Sequence, residues 1–469
     1  MRRVMLVLVV LLVIPRAAVA QDPIPAILSM RERAEVRDAW LERRLDTVVP
    51  MLMRREGIDL WVLVAREYNE DPVLKTMLPA TWLNARRRTI LLFHDRGSDA
   101  DGNDLGVERL AIARYAVGHA FPAAWDPDTQ PDQWARVAEL IAERDSQRIA
   151  LNRSTTFALA DGLTDTEFDG LNAALSEADR ARIVSGEALS IGWLETRIPE
   201  EMAVYPQIVK IAQAIIAEGF SEQVITPGVT TVEDVEWWYR DRIRDLNLVT
   251  WFHPSVSVQR ATSGPRSGDF SDWGSGNATI QPGDLLHVDL GITYLGLNTD
   301  TQEHAYVLRP GEADAPGDLK AALAVGNRLQ DILTDEFAAG RTGNEILAAA
   351  LAQADREGID ATIYTHPLGY HGHGAGPSIG MWDKQGGVPG KGDYPLYANT
   401  AHSIELNAAV PIPAWDDQPV RIMLEQDAFF DGEAVWYIDG RQTELHLVPR
   451  ASHTGPLRPV PEAAEMGAR

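Results

Sequence analysis

Asp289 and Asp300 lie in one stretch, HVDLGITYLGLNTD (287–300), that has the pattern of a β-hairpin. An apolar run, LLHVDLGI, leads into a turn near Tyr294, Leu295 and Gly296, and TDTQEHAYVL returns. A turn centred between 294 and 295 sets Asp289 opposite Asp300. Directly opposed residues carry Cβ atoms about 5 Å apart. Two carboxylates at that distance repel by about 3 kcal/mol at an effective dielectric of roughly 20. Such a pair on buried apolar strands calls for a positive group between them, and a cation is the simplest. The other reading is a register slipped by one residue, which turns one Asp to solvent.

Two more acids stand out further along. Glu405 interrupts the apolar strand SIELNAAV and Glu425 interrupts RIMLEQDAFF. A buried Glu is rarely left unpaired. Arg421 is the nearest cation to pair with either taken singly. Taken together, Asp289, Asp300, Glu405 and Glu425 are four acids on strands of one region. A nearby His would complete an oxygen-rich site for two divalent ions with shared carboxylates between them. The Gly- and Pro-rich run 365–400 supplies three, His366, His371 and His373.

The elements that must position these residues form two groups. Residues 31–57 read as a long amphipathic helix ended by Gly57, followed by the buried strand IDLWVLVA. TILLFHD (89–95) and RLAIARYA (109–116) are strands, WARVAELIAERD (134–145) a helix, and RIALN (148–152) a strand. This alternation predicts an α/β unit with a mixed sheet. It holds no cluster of His and carboxylates. Helices follow at 198–220, after a Thr196 cap, and at 230–247, where Trp237, Trp238 and Tyr239 read as core. Two more, at 317–338 and 343–357, separate the hairpin from the His-bearing run. Strands at 402–410, 420–430, 435–439 and 443–449 close the chain before a Pro- and Ala-rich tail.

The 469-residue chain is long enough for two cores, and its formal net charge is −25. That charge argues against nucleic acid and anionic membrane as partners. Arg2 and Arg3 precede MLVLVVLLVI, and Ala18-Val19-Ala20 offers small residues before a cut at Gln21. This is the outline of a secretory signal peptide. With no cysteine there is neither a disulfide nor a lipid-bearing Cys. The expectation is an exported protein, periplasmic or extracellular.

The acidic pattern resembles the pita-bread metallopeptidase family, which includes Xaa-Pro aminopeptidase, prolidase, methionine aminopeptidase and the metal-free relative creatinase. The family's D-x-G-x-x-Y-x-G-x-x-x-D strand pair is matched by Asp289, Gly291, Tyr294, Gly296 and Asp300. Its His-x-x-Gly stretch, with a second His seven residues on, is matched by His366, Gly369 and His373. A rival register makes His373 the ligand but needs a His at 380, where Gly380 stands. Glu405 and Glu425 match the family's two Glu.

The resemblance implies an α/β (α+β) chain: signal peptide 1–20, creatinase-like α/β domain 21–195, pita-bread catalytic domain 196–450 and tail 451–469. It implies that Asp289, Asp300, His366, Glu405 and Glu425 hold two divalent metal ions, Asp300 and Glu425 tying the pair together. Four acids against one imidazole favour hard ions, so Mn²⁺ is expected, with Co²⁺, Fe²⁺ or Zn²⁺ as alternatives. Two ions sharing a water supply hydroxide at neutral pH. Glu405 would shuttle the proton, and His373 would donate to the substrate or the tetrahedral intermediate; the bland alternative for His373 is a loop residue in a Gly-rich turn. The implied activity is hydrolysis of the N-terminal Xaa-Pro bond of small peptides by a homodimer or higher homo-oligomer. A non-peptide small-molecule substrate and a non-catalytic binding role are the alternatives.

Three departures bear on the substrate pocket. A family His about seventeen residues before the first Asp is replaced by Asp272, leaving His253 in WFHPSV further upstream. A His four before the metal His is Thr362, and an Arg two before the final Glu is Met423.

Overall fold

The computed structural model describes residues 24–261 and 277–450. The signal-peptide segment, Asp272 and the tail lie outside the described residues. Among the described residues no helix is long and apolar enough to cross a membrane.

The N-terminal half is built on a five-stranded sheet: β1 (Leu60–Arg66), β2 (Arg88–Asp95), β3 (Val107–Ile112), β4 (Ile149–Leu151) and β5 (Ile183–Ser185). Their order is β3-β2-β1-β4-β5. β1 runs antiparallel to β2 and parallel to β4, so the sheet is mixed as expected. Six consecutive residues of β1 are buried, as a central strand covered on both faces requires. The helix Met30–Glu56 starts on a Ser29–Glu32 capping box and stops at Gly57, whose φ of 60° suits glycine.

The second sheet contains β6 (Ser255–Gln259), β7 (Leu285–Leu290), β10 (Thr301–Val307), β11 (Asp360–Ile363), β12 (His366–Leu368), β13 (Thr400–Ile412), β14 (Gln418–Phe430), β15 (Val435–Tyr437) and β16 (His446–Val448). Its main path is β11-β13-β14-β10-β7-β6, with β12 on β13. Two short strands, β8 (Thr293–Tyr294) and β9 (Leu297–Asn298), form the hairpin tip between β7 and β10. Side chains alternate across β13 and β14. Ile404, Leu406, Ile422 and Leu424 join the apolar cluster that includes Leu323, Leu329 and Ile332 of the helix Gly317–Thr334. Ser403, Glu405, Asn407, Met423, Glu425 and Asp427 face the other way.

The hairpin register differs from the sequence expectation. The turn is centred on Leu295 (φ 56°) and Gly296 (φ 85°), consecutive left-handed residues of the kind a two-residue hairpin turn needs. Asp289 therefore pairs with Gln302, not with Asp300. The shift is two residues, so both Asp keep the same face and lie diagonally.

Three other expectations are corrected. The helix expected over 198–220 is broken into Pro199–Met202 and Tyr205–Gly219. Pro206 has no N–H to continue the earlier turn, so it sits in the first turn of a new helix. Thr196 ends the preceding helix, Glu187–Glu195, instead of starting the next. Of the three aromatics read as core, Tyr239 is buried but Trp237 is 55% exposed. Three consecutive side chains of one helix cannot share a face.

The two halves are joined by buried charge. Arg44 donates to Glu201 at 3.2 Å, to the Thr196 carbonyl at 2.6 Å and to the Trp193 carbonyl. Arg197 lies 3.5 Å from the same Glu201, and both arginine side chains are fully buried. Tyr370, four residues after His366, donates to Glu201 at 3.1 Å. Glu201 thus serves two guanidinium ions and anchors the loop that follows the candidate metal ligand. Removing one partner of a buried pair leaves an uncompensated charge. Glu201→Ala should lower the unfolding free energy by about 3 kcal/mol or more, measured by urea denaturation. A loss below about 1 kcal/mol would show that the cluster is not a structural tie.

Candidate metal centre

Cross-strand pairing arranges the functional side chains in three rows on one face of the second sheet. The middle row runs Glu405, Glu425, Gln302, Asp289 across β13, β14, β10 and β7. On one side lie Ser403, which faces Asp427, and Asp300, two residues before Gln302. His366 joins this row by pairing with Ser403. On the other side lie Asn407, paired with both Thr362 and Met423, and His304, paired with His287.

All five residues expected to bind metal are brought together. The Nε2 of His366 stands 3.5 Å from Asp300 Oδ2, 3.7 Å from Glu405 Oε2 and 3.4 Å from Glu425 Oε1. Three sets offer ligand atoms within 4.8 Å of one another: Asp289–Asp300–Glu425, His366–Glu405–Glu425 and Asp300–His366–His373. The last brings His373 to the same centre. Its ring packs edge-on to His366 with centroids 4.7 Å apart and against Trp251 at 5.2 Å.

The electrostatics call for cations. Burial, and then the charge of Glu425, raise Asp289, Asp300 and Glu405 well above the usual carboxylate range. Burial alone would lower His366, but Glu425 and then Glu405 outweigh it and push the imidazole up to about 9. Asp289 Oδ1 and His366 Nε2 are buried without a hydrogen-bond partner among the described residues. Carboxylate oxygens and one imidazole nitrogen left open inward are a donor set that fits hard divalent ions. His366 Nδ1 is turned to the Pro367 carbonyl at 3.0 Å, which directs Nε2 at the acids.

Several residues at the centre escaped the sequence reading. Ser403 Oγ donates to Glu425 at 2.5 Å, and Asp427 accepts from the Asp300 N–H at 3.0 Å. The Gln302 amide donates to Glu405 at 2.6 Å and to Glu425 at 2.7 Å. Tyr364 accepts from Asn407 at 3.4 Å, and burial and then Glu405 raise its hydroxyl well above the ordinary phenol range. All lie two residues from a recognised acid or from His366, and period-two patterning is the signal that would have found them.

Two residues weighed from sequence lie away from the centre. Arg421 donates to Asn407 at 3.2 Å, four residues along β14 from Glu425, and is not the partner of either Glu. His253 lies beside Trp237, with Arg240 at 3.1 Å and Glu236 at 4.0 Å. Trp251, two residues earlier, takes the place beside the centre and donates to the Thr299 carbonyl at 3.0 Å. It needs Gly291 and Gly372: a Cβ on either would come within 2.3 Å of the indole.

Residues 207–428 match metallopeptidase family M24. Comparison with curated proteins gives no match to the sequence. The fold is similar to that of an X-Pro aminopeptidase from Thermotoga maritima, at 16% identity and a TM-score of 0.59, covering 85% of this chain and 100% of that one. It is similar to the dipeptidase PepE from Mycobacterium ulcerans, at 18% identity and a TM-score of 0.57, covering 90% and 100%. It is also similar to an Xaa-Pro dipeptidase from Bacillus anthracis, at 17% identity and a TM-score of 0.53, covering 89% and 100%. The chain thus matches metallopeptidase family M24 over residues 207–428, and its fold is the pita-bread fold.

Proposed function

We propose that the chain is an exported metallo-exopeptidase that hydrolyses the N-terminal Xaa-Pro bond of small peptides. The observation that carries this reading is the convergence of Asp289, Asp300, His366, Glu405 and Glu425 on one sheet face. The Xaa-Pro specificity is drawn from the X-Pro aminopeptidase and the Xaa-Pro dipeptidase of like fold. Export rests on the N-terminal sequence, and a homodimer or higher homo-oligomer rests on the family resemblance.

Two divalent ions, Mn²⁺ first among the candidates, would polarise the scissile carbonyl and lower the pKa of the attacking water. Asp289 would hold one side and His366 and Glu405 the other, with Asp300 and Glu425 between them. Glu405 stands at the end of the acidic row, where it can take the proton from water and pass it to the leaving nitrogen. His373 stands against His366, and burial and then His366 hold it below its ordinary value. A neutral imidazole there donates one hydrogen bond to the substrate or the developing oxyanion. Trp251 walls this side.

One observation favours a second reading. His253 lies beside Trp237, and Arg421 lies four residues along β14 from Glu425 and donates to Asn407, so neither stands at the acids in the place of the family's substrate-binding His or Arg. A pita-bread hydrolase or lyase acting on a non-peptide small molecule fits that arrangement.

The chain without residues 1–20 should release the N-terminal residue from Xaa-Pro-Xaa tripeptides or Xaa-Pro dipeptides in Mn²⁺, and not after chelation. No cleavage of either, with ions bound, would favour the second reading. Glu405→Gln should lower kcat by about 10²-fold or more while leaving the circular-dichroism spectrum unchanged; retained turnover would remove Glu405 from proton transfer.

The ions should also appear in stability. Asp289, Asp300, Glu405 and His366 all titrate above their ordinary values without metal, so the folded chain binds more protons than the unfolded one. Their contribution is full below the ordinary carboxylate range and is lost as pH rises through the raised values. Chelated protein should therefore lose thermal stability between pH 5 and pH 8. Mn²⁺ at a hundredfold excess over its Kd should restore about 2.7 kcal/mol per site at pH 8. Equal melting temperatures with and without Mn²⁺ at pH 8 would argue against a metal centre.

A further inference from the structure

Gln302 occupies the middle of the acidic row, between Glu425 on β14 and Asp289 on β7. Neighbouring strands are about 4.8 Å apart. A cation shared by Glu425 and Asp289 would therefore lie close to Gln302, the residue between them. The side chain is 3% exposed and its amide is fully engaged. Nε2 donates to Glu405 Oε1 and Glu425 Oε2. Oε1 lies 2.9 Å from His287 Nε2. An amide oxygen only accepts, so His287 carries the proton on Nε2 and fixes which way the amide faces. His287 is itself buried, with its ring 5.2 Å from that of His304.

The two halves of the centre are unequal as a result. Around His366 Nε2 stand Asp300 Oδ2, Glu405 Oε2 and Glu425 Oε1, and Gln302 bonds none of these oxygens. On the other side Asp289 Oδ1 has no hydrogen-bond partner among the described residues, while Glu425 Oε2 is taken by the amide. Resting on the metal-centre reading above, we propose that Gln302 competes with a cation for the Asp289 side, so that the chain takes up two divalent ions in two unequal steps. The first ion enters at His366 with the amide in place. The second enters only when the amide swings off the glutamates, and its apparent affinity falls by the fraction of chains in which it has done so.

The test is a Mn²⁺ titration of the chelator-stripped full chain, with free Mn²⁺ read by electron paramagnetic resonance. Wild type should bind one ion at least about tenfold more tightly than the second. Gln302→Ala should bring the second step to within about threefold of the first, leaving the first step nearly unchanged. Gln302→Ser, a smaller change in polarity, gives the same reading if the alanine variant does not fold. Two ions bound with equal strength by wild type would overturn the proposal while leaving the metal centre standing. A second step weakened by either variant would also overturn it, showing that Gln302 positions the glutamates instead. No bound Mn²⁺ at all would overturn the metal-centre reading and this proposal together.

Discussion

The repulsion among buried carboxylates is the constraint on which the catalytic half depends. Asp289, Asp300, Glu405, Glu425 and Asp427 share one sheet face, and no Lys or Arg is among the residues of the three rows. Each acid raises the cost of ionising its neighbours. The surroundings read as answers to that problem. Ser403, the Gln302 amide and the Asp300 N–H each give a hydrogen bond to a carboxylate, and the Nε2 of His366 faces three of them. The remaining negative charge is what a divalent ion neutralises.

Behind the acids lies a second, uncharged set that keeps them in place. His304 stays neutral because burial holds it down to about 4. It donates from Nδ1 to the Leu286 carbonyl and accepts the Met423 N–H on Nε2. His287 faces Gln302 in the same way. These imidazoles act as rigid spacers between strands, with each ring nitrogen assigned by what it meets. The arrangement links the strands that carry Asp289, Asp300 and Glu425 through side chains as well as through the backbone ladder.

Much of this was legible in the sequence because acids on apolar strands are conspicuous. Glu405 and Glu425 announced themselves by interrupting hydrophobic runs, and the glycines around Tyr294 marked the hairpin. The turn was placed one residue early because Tyr294, Leu295 and Gly296 all lay near its centre, and only the backbone shows which two are left-handed. That displacement hid Gln302, which reads in TDTQEHAYVL as one polar residue among several. Tyr364 and Ser403 carry no charge and broke no pattern. Trp251 was passed over in favour of His253 because the chemistry of a residue type says nothing about the side of a loop on which it lies.

The three rows have a consequence for how such a surface can change. A sheet face is a grid, with addresses repeating about every 4.8 Å across the strands and about every 6.8 Å along them. Apolar packing on the opposite face, from Ile404 and Leu406 to Ile422 and Leu424, fixes the grid without reference to what stands on the polar side. A side chain can therefore be exchanged at one address while its neighbours keep theirs. Gln302 at the centre of the acidic row is such an address: the ion preference and the stoichiometry of the face can be rewritten there without moving a strand.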